Sequence, residues 1–507
     1  MVVFRRERMP TFQHPRRTPD PMRILLFLLL ALPAVAQPTL GETAFSNSGA
    51  EDAQEPFLRG LLLLHSFEYD DARDAFREAQ AIDPAFVMAY WGEAMTHNHP
   101  VWMRQDRDAA REALARLDAQ TGVEMTPRER MYLNTLGVLF GDGAKESRDD
   151  AYAVAMEHLA REYHDDLDAR AFYALAILGT AHEGRDFATY MRAAAVAEEV
   201  FDENPRHPGA AHYLIHAYDD PVHAPLGLRP ARVYDQIAPA ASHALHMPSH
   251  IYMALGLFED VAAMNRRSYE AAKANSDRRG EPLNGHGWHA LWWWHYAADQ
   301  LEAHALTDSL YALAEAHHAA SPDGTSLSHI VRIRAVQGAA EVDPVLSHDP
   351  PVSASLNTRA VDALVRGERL ADLGRMDEAR AVLDDLRVAV DGADDPGWQA
   401  RASVLQLDAF LTLLDGDPER ATALVREAAA LESAAPLMFG PPTPTVPANE
   451  FLGLLLFEYG DPVEAEAAYR AALDRAPNRR QSVYGLQRIQ REMDRRQAED
   501  EADREGE

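Results

Sequence analysis

Apolar residues recur three and four positions apart along most of the chain, from Pro56 to about residue 488. This spacing places them on one face of an α-helix, because each residue advances the helix by about 100°. Nowhere in this stretch do five or six residues alternate between apolar and polar, as they do in a half-buried strand. The pattern therefore predicts an all-α region over residues 56–488.

A set of small, aromatic and proline residues recurs with the same spacing near both ends of this region. The first copy is Gly60, Leu63, Ala72, Phe76, Ala79 and Pro84, and the second is Gly453, Leu456, Ala465, Tyr469, Ala472 and Pro477. A third, partial copy is Gly367, Leu370, Ala379 and Leu383. Small residues let two helices approach, an aromatic ring fills the space beside them, and proline ends the second helix. The spacing predicts repeated antiparallel helix hairpins.

This pattern resembles the tetratricopeptide repeat (TPR), a 34-residue helical hairpin. The resemblance covers most of residues 56–488 and implies a right-handed superhelical solenoid, whose concave groove binds a protein segment or a small ligand. The segments Leu64–Tyr69, Ala89–Met95 and His246–His250 look like those of a histidine-rich branch of such proteins from bacterial envelopes. That resemblance brings no activity with it.

Two proline-rich stretches interrupt the helical pattern, at residues 219–239 and 435–449. We expect neither to be continuous helix, because proline removes a backbone donor and clashes with the preceding turn. The second stretch contains Leu437, Met438 and Phe439, so we expect it to lie ordered across the solenoid rather than to act as an exposed linker. The tail at residues 489–507 is charged on all sides, which predicts a frayed helix or disorder.

The chain begins with a pattern typical of a secretory signal peptide. The apolar run Ile24–Ala36 follows Arg23 and ends in small residues, and it is shorter than the roughly 20 residues that span a bilayer. Because Met22 directly precedes the arginine, we expect translation to start there, with residues 1–21 as an extension. The alternative is a buried N-terminal helix. We expect an exported protein, periplasmic or extracellular, with a flexible segment at residues 37–55.

Charge and composition exclude several classes of partner and site. The chain has 49 Lys and Arg against 80 Asp and Glu, a formal net charge of −31, which disfavours binding to nucleic acid or to an anionic membrane surface. No second apolar run reaches the length of a membrane span. The chain has no cysteine, so disulfides, thiolate metal sites and a cysteine nucleophile are excluded. Any metal ion must be bound by histidines and carboxylates.

Histidines are the most informative residues, since 15 of the 22 lie between His182 and His329. If Pro205 ends one hairpin and Gly256 marks an inter-helix turn, several of them fall at the second, fifth and ninth positions of first helices. The TPR resemblance implies that these positions line the concave groove. The histidines expected to converge there are His212, His216, His243, His246 and His250, with His286 and His289 from the next hairpin.

Histidines four residues apart on a helix can chelate one divalent ion. Without cysteine, these histidines favour Zn or Cu, or Fe or Mn if a carboxylate joins them. The candidate carboxylates are Asp219, Asp220 and Glu183. Pro248 lies between His246 and His250, so the helix either kinks or begins there. Two alternatives remain open at this point, a polar groove for a peptide or an anionic ligand and purely structural histidines.

Aromatic residues accompany the histidines. Trp293 follows the last histidine pair, and Trp91 and His99 lie in the N-terminal hairpins. We expect these three to line the ligand-binding groove, although aromatic residues at helical spacing also serve as core. Two functions follow. One is a repeat protein that binds a partner or ligand beside a histidine-bound metal ion. The other is a metalloenzyme, hydrolytic or oxidative, in which the metal activates water and a carboxylate or histidine acts as base.

Overall fold

The computed structural model describes residues 40–337 and 353–506. Within these residues the chain is helical apart from turns, irregular segments and one minimal strand pair, so the all-α prediction is confirmed. None of the described helices combines the length and the apolarity needed to cross a membrane. The predicted extension and signal peptide, residues 1–36, lie outside the described residues.

The first half of the described chain carries twelve helices and the strand pair. The helices are α1 (Gln54–His65), α2 (Tyr69–Ile82), α3 (Val87–Met95), α4 (Arg107–Asp118), α5 (Pro127–Leu139), α6 (Lys145–Glu162), α7 (Leu167–Leu178), α8 (Phe187–Glu203), α9 (Pro208–Tyr218), α10 (Ala224–Ile237), α11 (Ser242–His246) and α12 (Pro248–Ala254). Short 3₁₀ helices occupy Glu51–Ala53 and Pro100–Trp102. The strands β1 (Asn98–His99) and β2 (Arg104–Gln105) pair antiparallel.

The second half continues in the same way. Its described helices are α13 (Phe258–Arg279), α14 (Gly285–Gln300), α15 (His304–Ala320), α16 (Gly324–Gln337), α17 (Leu356–Asp372), α18 (Met376–Asp391), α19 (Gly397–Leu414), α20 (Pro418–Ala434), α21 (Ala448–Tyr459), α22 (Pro462–Arg475) and α23 (Arg480–Gly506). Neighbouring helices pack on each other, and alternate helices such as α1 and α3 or α7 and α9 also touch. The described helices therefore form stacked TPR-like hairpins.

The repeated small and aromatic residues pack as the spacing predicts. A Cβ atom added at Gly60 would lie 2.9 Å from the ring of Phe76, and one added at Gly453 would lie 2.8 Å from the ring of Tyr469. Any larger residue would separate the two helices of these hairpins. Gly256 adopts a φ of +66° at its turn, and Pro208 lies in the first turn of α9. Both features agree with the register assumed for the histidines.

The stretch at residues 219–239 is not one continuous helix, but most of it is helical. Helix α10 runs through most of the stretch, with Pro225 in its first turn and Pro230 inside it. A proline in the first turn lacks only an N–H that would have no helical partner. Pro230, inside the helix, lacks the N–H of one backbone hydrogen bond. Burial of Ala231 and Tyr234 offsets that loss, because tertiary packing supplies most of a helix's stability.

The expected flexible segment is ordered where the structure describes it. The ring of Phe45 lies 5.4 Å from the rings of both Phe57 and Tyr132. The backbone N–H of Glu42 donates to the carbonyl of Arg206 at 3.0 Å. One aromatic anchor in an otherwise polar stretch thus holds the described part of this segment on the helices. At the other end, the charged tail continues α23 as far as residue 506.

Both ends of the described solenoid contact helices from its middle. The first hairpin reaches across the chain, where α1 packs on α9 and Asp71 accepts from Arg279 at 3.0 Å. Near the other end, Arg479 donates to the hydroxyl of Tyr296 at 3.1 Å. The segment before α21 also lies on the central helices, since Gly440 packs against the ring of Trp293. The central helices, which carry the histidines, are therefore enclosed from both sides.

Candidate metal centre

Four helices bring six of the predicted histidines together in two groups. In each group the potential ligand atoms all lie within 4.8 Å of one another. The first triad is His212, His216 and His243, and the second triad is His246, His250 and His289. Helix α9 supplies two members, α11 two, and α12 and α14 one each. Five of the six are buried, with at most 5% of the residue exposed, and His289 is partly buried.

The shortest contacts join histidines four residues apart. The Nε2 atoms of His212 and His216 are 3.1 Å apart, and those of His246 and His250 are 2.9 Å apart. The second contact spans Pro248, the first residue of α12. Met247 keeps helical dihedral angles (φ −54°, ψ −37°) at the junction, so both rings stay on one face despite the missing backbone donor.

Hydrogen bonds orient two rings of the second triad. The Nδ1–H of His246 donates to Oδ1 of Asn265 at 2.7 Å, since the amide nitrogen of Asn265 itself donates to the carbonyl of Val261. The Nδ1–H of His250 donates to Oδ2 of Asp219 at 2.6 Å. A neutral imidazole carries one N–H, so in the neutral form of each ring the Nε2 atom carries a lone pair. Lone pairs that face each other at 2.9 Å repel unless a metal ion or a proton lies between them.

In the first triad, a hydrogen bond fixes the orientation of His212 alone. The Nδ1–H of His212 donates to the carbonyl of His65 at 2.7 Å, which leaves its Nε2 lone pair facing His216. Nε2 of His243 is buried and has no hydrogen-bond partner among the described residues. Burial lowers the pKa of His212 to about 3 and lowers the pKa of His216 and of His243 well below 6.5. At neutral pH these rings are uncharged, which is the form that binds metal ions.

An aromatic ring covers each triad. Phe67 lies over the first, with its ring centroid 4.3 Å from that of His212, and its φ of +56° turns it inward from the loop between α1 and α2. Trp293 lies over the second, 4.6 Å from His250 and 4.8 Å from His246. These rings exclude water from the histidines, which strengthens electrostatic interactions there.

Glu68 and His286 form a pair beside the first triad. Oε1 of Glu68 accepts hydrogen bonds from the Ser242 hydroxyl at 2.7 Å and from the backbone N–H of His243 at 2.8 Å. Its Oε2 lies 3.5 Å from Nδ1 of His286, whose ring stacks on His243 at 4.8 Å. Burial lowers the pKa of His286, but Glu68 outweighs it and the net shift is upward. His286 thus lies next to the triads and faces a carboxylate.

A cleft of about 850 Å³ opens beside the first triad. Its lining includes Phe67, Glu68, Tyr69, His97, His99 and His286. The cleft reaches the histidine cluster, because His286 lines it and also touches His243. The predicted groove residue His99 therefore lines a cavity, with its ring stacked 4.0 Å from that of Tyr69.

The other predicted groove residues occupy different surroundings. Trp91 is fully buried, with its ring 5.2 Å from Tyr132 and 5.3 Å from Phe172, so it belongs to the core instead of a ligand surface. The sequence alone does not separate these outcomes, because both place an aromatic residue on an apolar helix face. Trp293 is equally buried but packs on the histidines.

The three candidate carboxylates occupy different positions relative to the histidines. Asp219 does not face the Nε2 atoms; it orients His250 from behind through Nδ1, as outer-shell carboxylates orient metal-binding histidines. Asp220 pairs with Arg185 at 2.9 Å and with His223, and Glu183 is exposed.

Sequence reasoning did not find Asn265 or Glu68 as partners of the cluster. Each lies far along the chain from the histidine that it contacts, so no local spacing marks it. The segment Leu64–Tyr69 is the one trace in the sequence, because it contains the loop between α1 and α2 whose Phe67 packs on His212. Stacked hairpins around a largely buried histidine cluster define the chain as a TPR-like repeat protein with a candidate metal centre.

No family model matches the chain, and no curated protein matches it. Solved helical-repeat structures do match. The P58(IPK) TPR domain is 14% identical over 88% of this chain and 99% of its own, with a TM-score of 0.22. Cut9-Hcn1, an APC/C hetero-tetramer, is 12% identical over 88% and 78%, with a TM-score of 0.36. The human IFIT1 dimer with m7Gppp-AAAA is 12% identical over 89% and 91%, also at 0.36. The TM-scores are low, so the fold assignment rests on the helix packing described above.

Proposed function

We propose that this TPR-like protein binds a divalent transition metal through its clustered histidines. The observation that carries the proposal is the contact between His246 and His250. Their Nε2 atoms are 2.9 Å apart, and both Nδ1 atoms already donate to Asn265 and Asp219. A metal ion converts this repulsion between lone pairs into coordination, and the buried pair is already oriented to receive it.

The donor set favours Zn or Cu. All six clustered ligand atoms are imidazole nitrogens, which suit these borderline metals, whereas Mn and non-haem Fe usually take a carboxylate as well. The nearest carboxylate of the second triad, on Asp219, holds the far side of the His250 ring. We further propose that the protein is exported and that the cleft beside His286 receives a partner segment or a small ligand.

Metal content tests this proposal directly. The protein is prepared without a histidine tag or nickel resin, stripped with chelator, incubated with Zn(II) or Cu(II), desalted and analysed for bound metal. We expect stoichiometric metal in the wild type and a loss in His250→Ala, because removal of one ligand opens the second triad. Retention of no metal by the folded wild type would contradict the proposal and leave a shared proton between His246 and His250.

His295→Ala is the matched control. His295 lies on α14, as His289 does, and is fully buried, but its Nε2 contacts Oε1 of Gln337 at 3.0 Å instead of another histidine. This variant loses a buried imidazole of the same kind without touching either triad. We expect it to keep the wild-type metal content, and a parallel loss in both variants would point to general destabilisation.

A second candidate function is a metalloenzyme, and the cleft is the observation that favours it. A metal ion held by three histidines keeps a position for water, and His286 joins the first triad to a cavity of about 850 Å³. The Glu68–His286 pair lies where a general base for that water is needed. Hydrolysis of a panel of activated esters and phosphoesters by the zinc-loaded protein tests this function. Glu68→Gln should lower the turnover per bound zinc ion, with bound zinc measured in the same samples.

A further inference from the structure

We infer that the cluster binds two metal ions, one in each histidine triad, as a binuclear centre. The inference rests on the proposed function and deepens it. The six ligand nitrogens fall into two groups of three, and within each group all three nitrogens lie within 4.8 Å of one another. Each group also contains one histidine pair from a single helical turn, with Nε2 atoms 3.1 Å apart in the first triad and 2.9 Å apart in the second.

These distances match two ligands on one ion. A tetrahedral ion with nitrogens at about 2.0 to 2.1 Å holds them roughly 3.3 Å apart. The third histidine of each triad lies within 4.8 Å of the other two, so it approaches by at most about 1.5 Å to complete the site. Rotation of a side chain supplies a movement of this size without a change in the backbone.

One ion cannot take all six rings, because zinc and copper sites in proteins usually have four or five ligands. The two triads nevertheless lie side by side. Ring centroids of His216 and His250 are 5.9 Å apart, and those of His243 and His246 are 6.0 Å apart. Two adjacent ions, each with three histidines and an open position, are the arrangement that uses every ring.

Each triad has its own supporting contacts. In the first, the carbonyl of His65 orients His212, and the buried Nε2 of His243 lacks a hydrogen-bond partner among the described residues. In the second, Asn265 and Asp219 orient their histidines. Because neither set depends on the other, each triad is a complete three-ligand site in its own right.

Two buried carboxylates offset the added charge. Asp219 contacts His250 of the second triad, and Glu68 accepts from the backbone of His243 in the first. Each is at most 6% exposed. A buried divalent ion is costly unless negative charge lies nearby, and here each triad has one carboxylate beside it.

Zinc stoichiometry decides the number of sites. The chelator-stripped full-length chain is titrated with Zn(II), and bound zinc is measured after desalting. We expect two zinc ions per chain in the wild type and two in the His295→Ala control. His212→Ala should retain one ion in the second triad, and His246→Ala should retain one in the first.

The outcomes separate the two proposals. One ion in the wild type overturns the binuclear inference and leaves the proposed function standing, whereas zero ions overturn both. Loss of both ions in a folded single variant overturns the claim that each triad is a separate site. Far-UV circular dichroism establishes that the variants fold. If an alanine variant unfolds, His212→Gln and His246→Gln replace it, and the wild-type stoichiometry decides in any case.

Discussion

Two clusters in this protein bring three potential metal ligands equally close together but differ in their hydrogen bonds. The second triad and the group His65, Asp168 and His207, the acid-linked triad, each bring three potential ligand atoms within 4.8 Å. In the acid-linked triad a carboxylate lies between the rings, while in the second triad ring nitrogens face each other. Close approach of potential metal ligands therefore does not by itself distinguish the two clusters, whereas the direction of the N–H bonds does.

Hydrogen bonds satisfy both ring nitrogens of His65 in the acid-linked triad. The Nε2–H of His65 donates to Oδ1 of Asp168 at 2.9 Å, and its Nδ1 accepts from the hydroxyl of Tyr213 at 2.9 Å. Nε2 of His207 lies 3.4 Å from the same carboxylate oxygen. Burial raises the pKa of Asp168, but the two histidines outweigh it and hold that pKa well below its usual range. The backbone N–H of Ala210 donates to Nδ1 of His207 at 3.2 Å, so both rings present an N–H and not a lone pair to Asp168. We therefore expect this triad to join α1, α7 and α9 structurally.

The largest effect is expected when the carboxylate of the acid-linked triad is removed. Asp168→Ala leaves His65, His207 and the hydroxyl of Thr43, which donates to Oδ2 at 2.7 Å, without their buried partner. Loss of one member of a buried polar network costs about 3 to 5 kcal/mol. We expect the free energy of unfolding, measured by urea titration of the metal-free protein, to fall by that amount.

Asp168→Asn is the matched control for this change. The amide keeps the shape and one acceptor, so we expect a smaller loss of stability. Both variants should keep the wild-type zinc content if folded. Loss of zinc from folded Asp168→Asn protein would contradict the assignment of a structural role to the acid-linked triad.

Much of the fold can be read from the sequence. The small and aromatic pairs such as Gly60 with Phe76 predict hairpins because the contact lies within one repeat. The register of His246 and His250 also follows from a local marker, Gly256. Contacts between distant repeats, such as the one between Asp168 and His65, cannot be predicted in this way. Neither periodicity nor local spacing determines the curvature with which the hairpins stack.

Zinc should stabilise the chain through the all-histidine clusters. A ligand that binds only the folded state at 100 times its dissociation constant adds about 2.7 kcal/mol per site. We expect the free energy of unfolding of the wild type and of Asp168→Asn to rise by that amount for each occupied triad. His212→Ala with His246→Ala, which disrupts both all-histidine triads, should show no increase. Equal stabilisation of this double variant would mean that zinc binds elsewhere.

His295 is a buried histidine that belongs to neither cluster, so it shows what burial alone does to an imidazole. Burial lowers its pKa from 6.5 to about 4, although the hydrogen bond with Gln337 raises it. The unfolded chain therefore takes up this proton first, so the contribution to stability is present above about pH 6.5 and is lost as pH falls toward 4.

Between pH 7.5 and 4.5 this histidine should remove about 2.5 kcal/mol of stability from the metal-free wild type. His295→Gln should lack that part of the pH dependence, which urea titrations at both values measure. The same slope in the wild type and the variant would show that His295 titrates normally in the folded protein.

The smallest predicted effect concerns the residue that orients His250. Asp219→Asn keeps an acceptor for the Nδ1–H of His250 but removes the negative charge from behind the ring. Loss of such an outer-shell partner typically weakens metal binding tenfold to a hundredfold, or about 1.4 to 2.7 kcal/mol. Competition with a chromogenic zinc chelator measures the change.

The neighbouring Asp220→Asn is the control, because Asp220 is equally buried but pairs with Arg185. The zinc affinity of this variant should stay within about twofold of the wild type. Equal weakening in both variants would mean that general destabilisation, and not the orientation of His250, lowers the affinity.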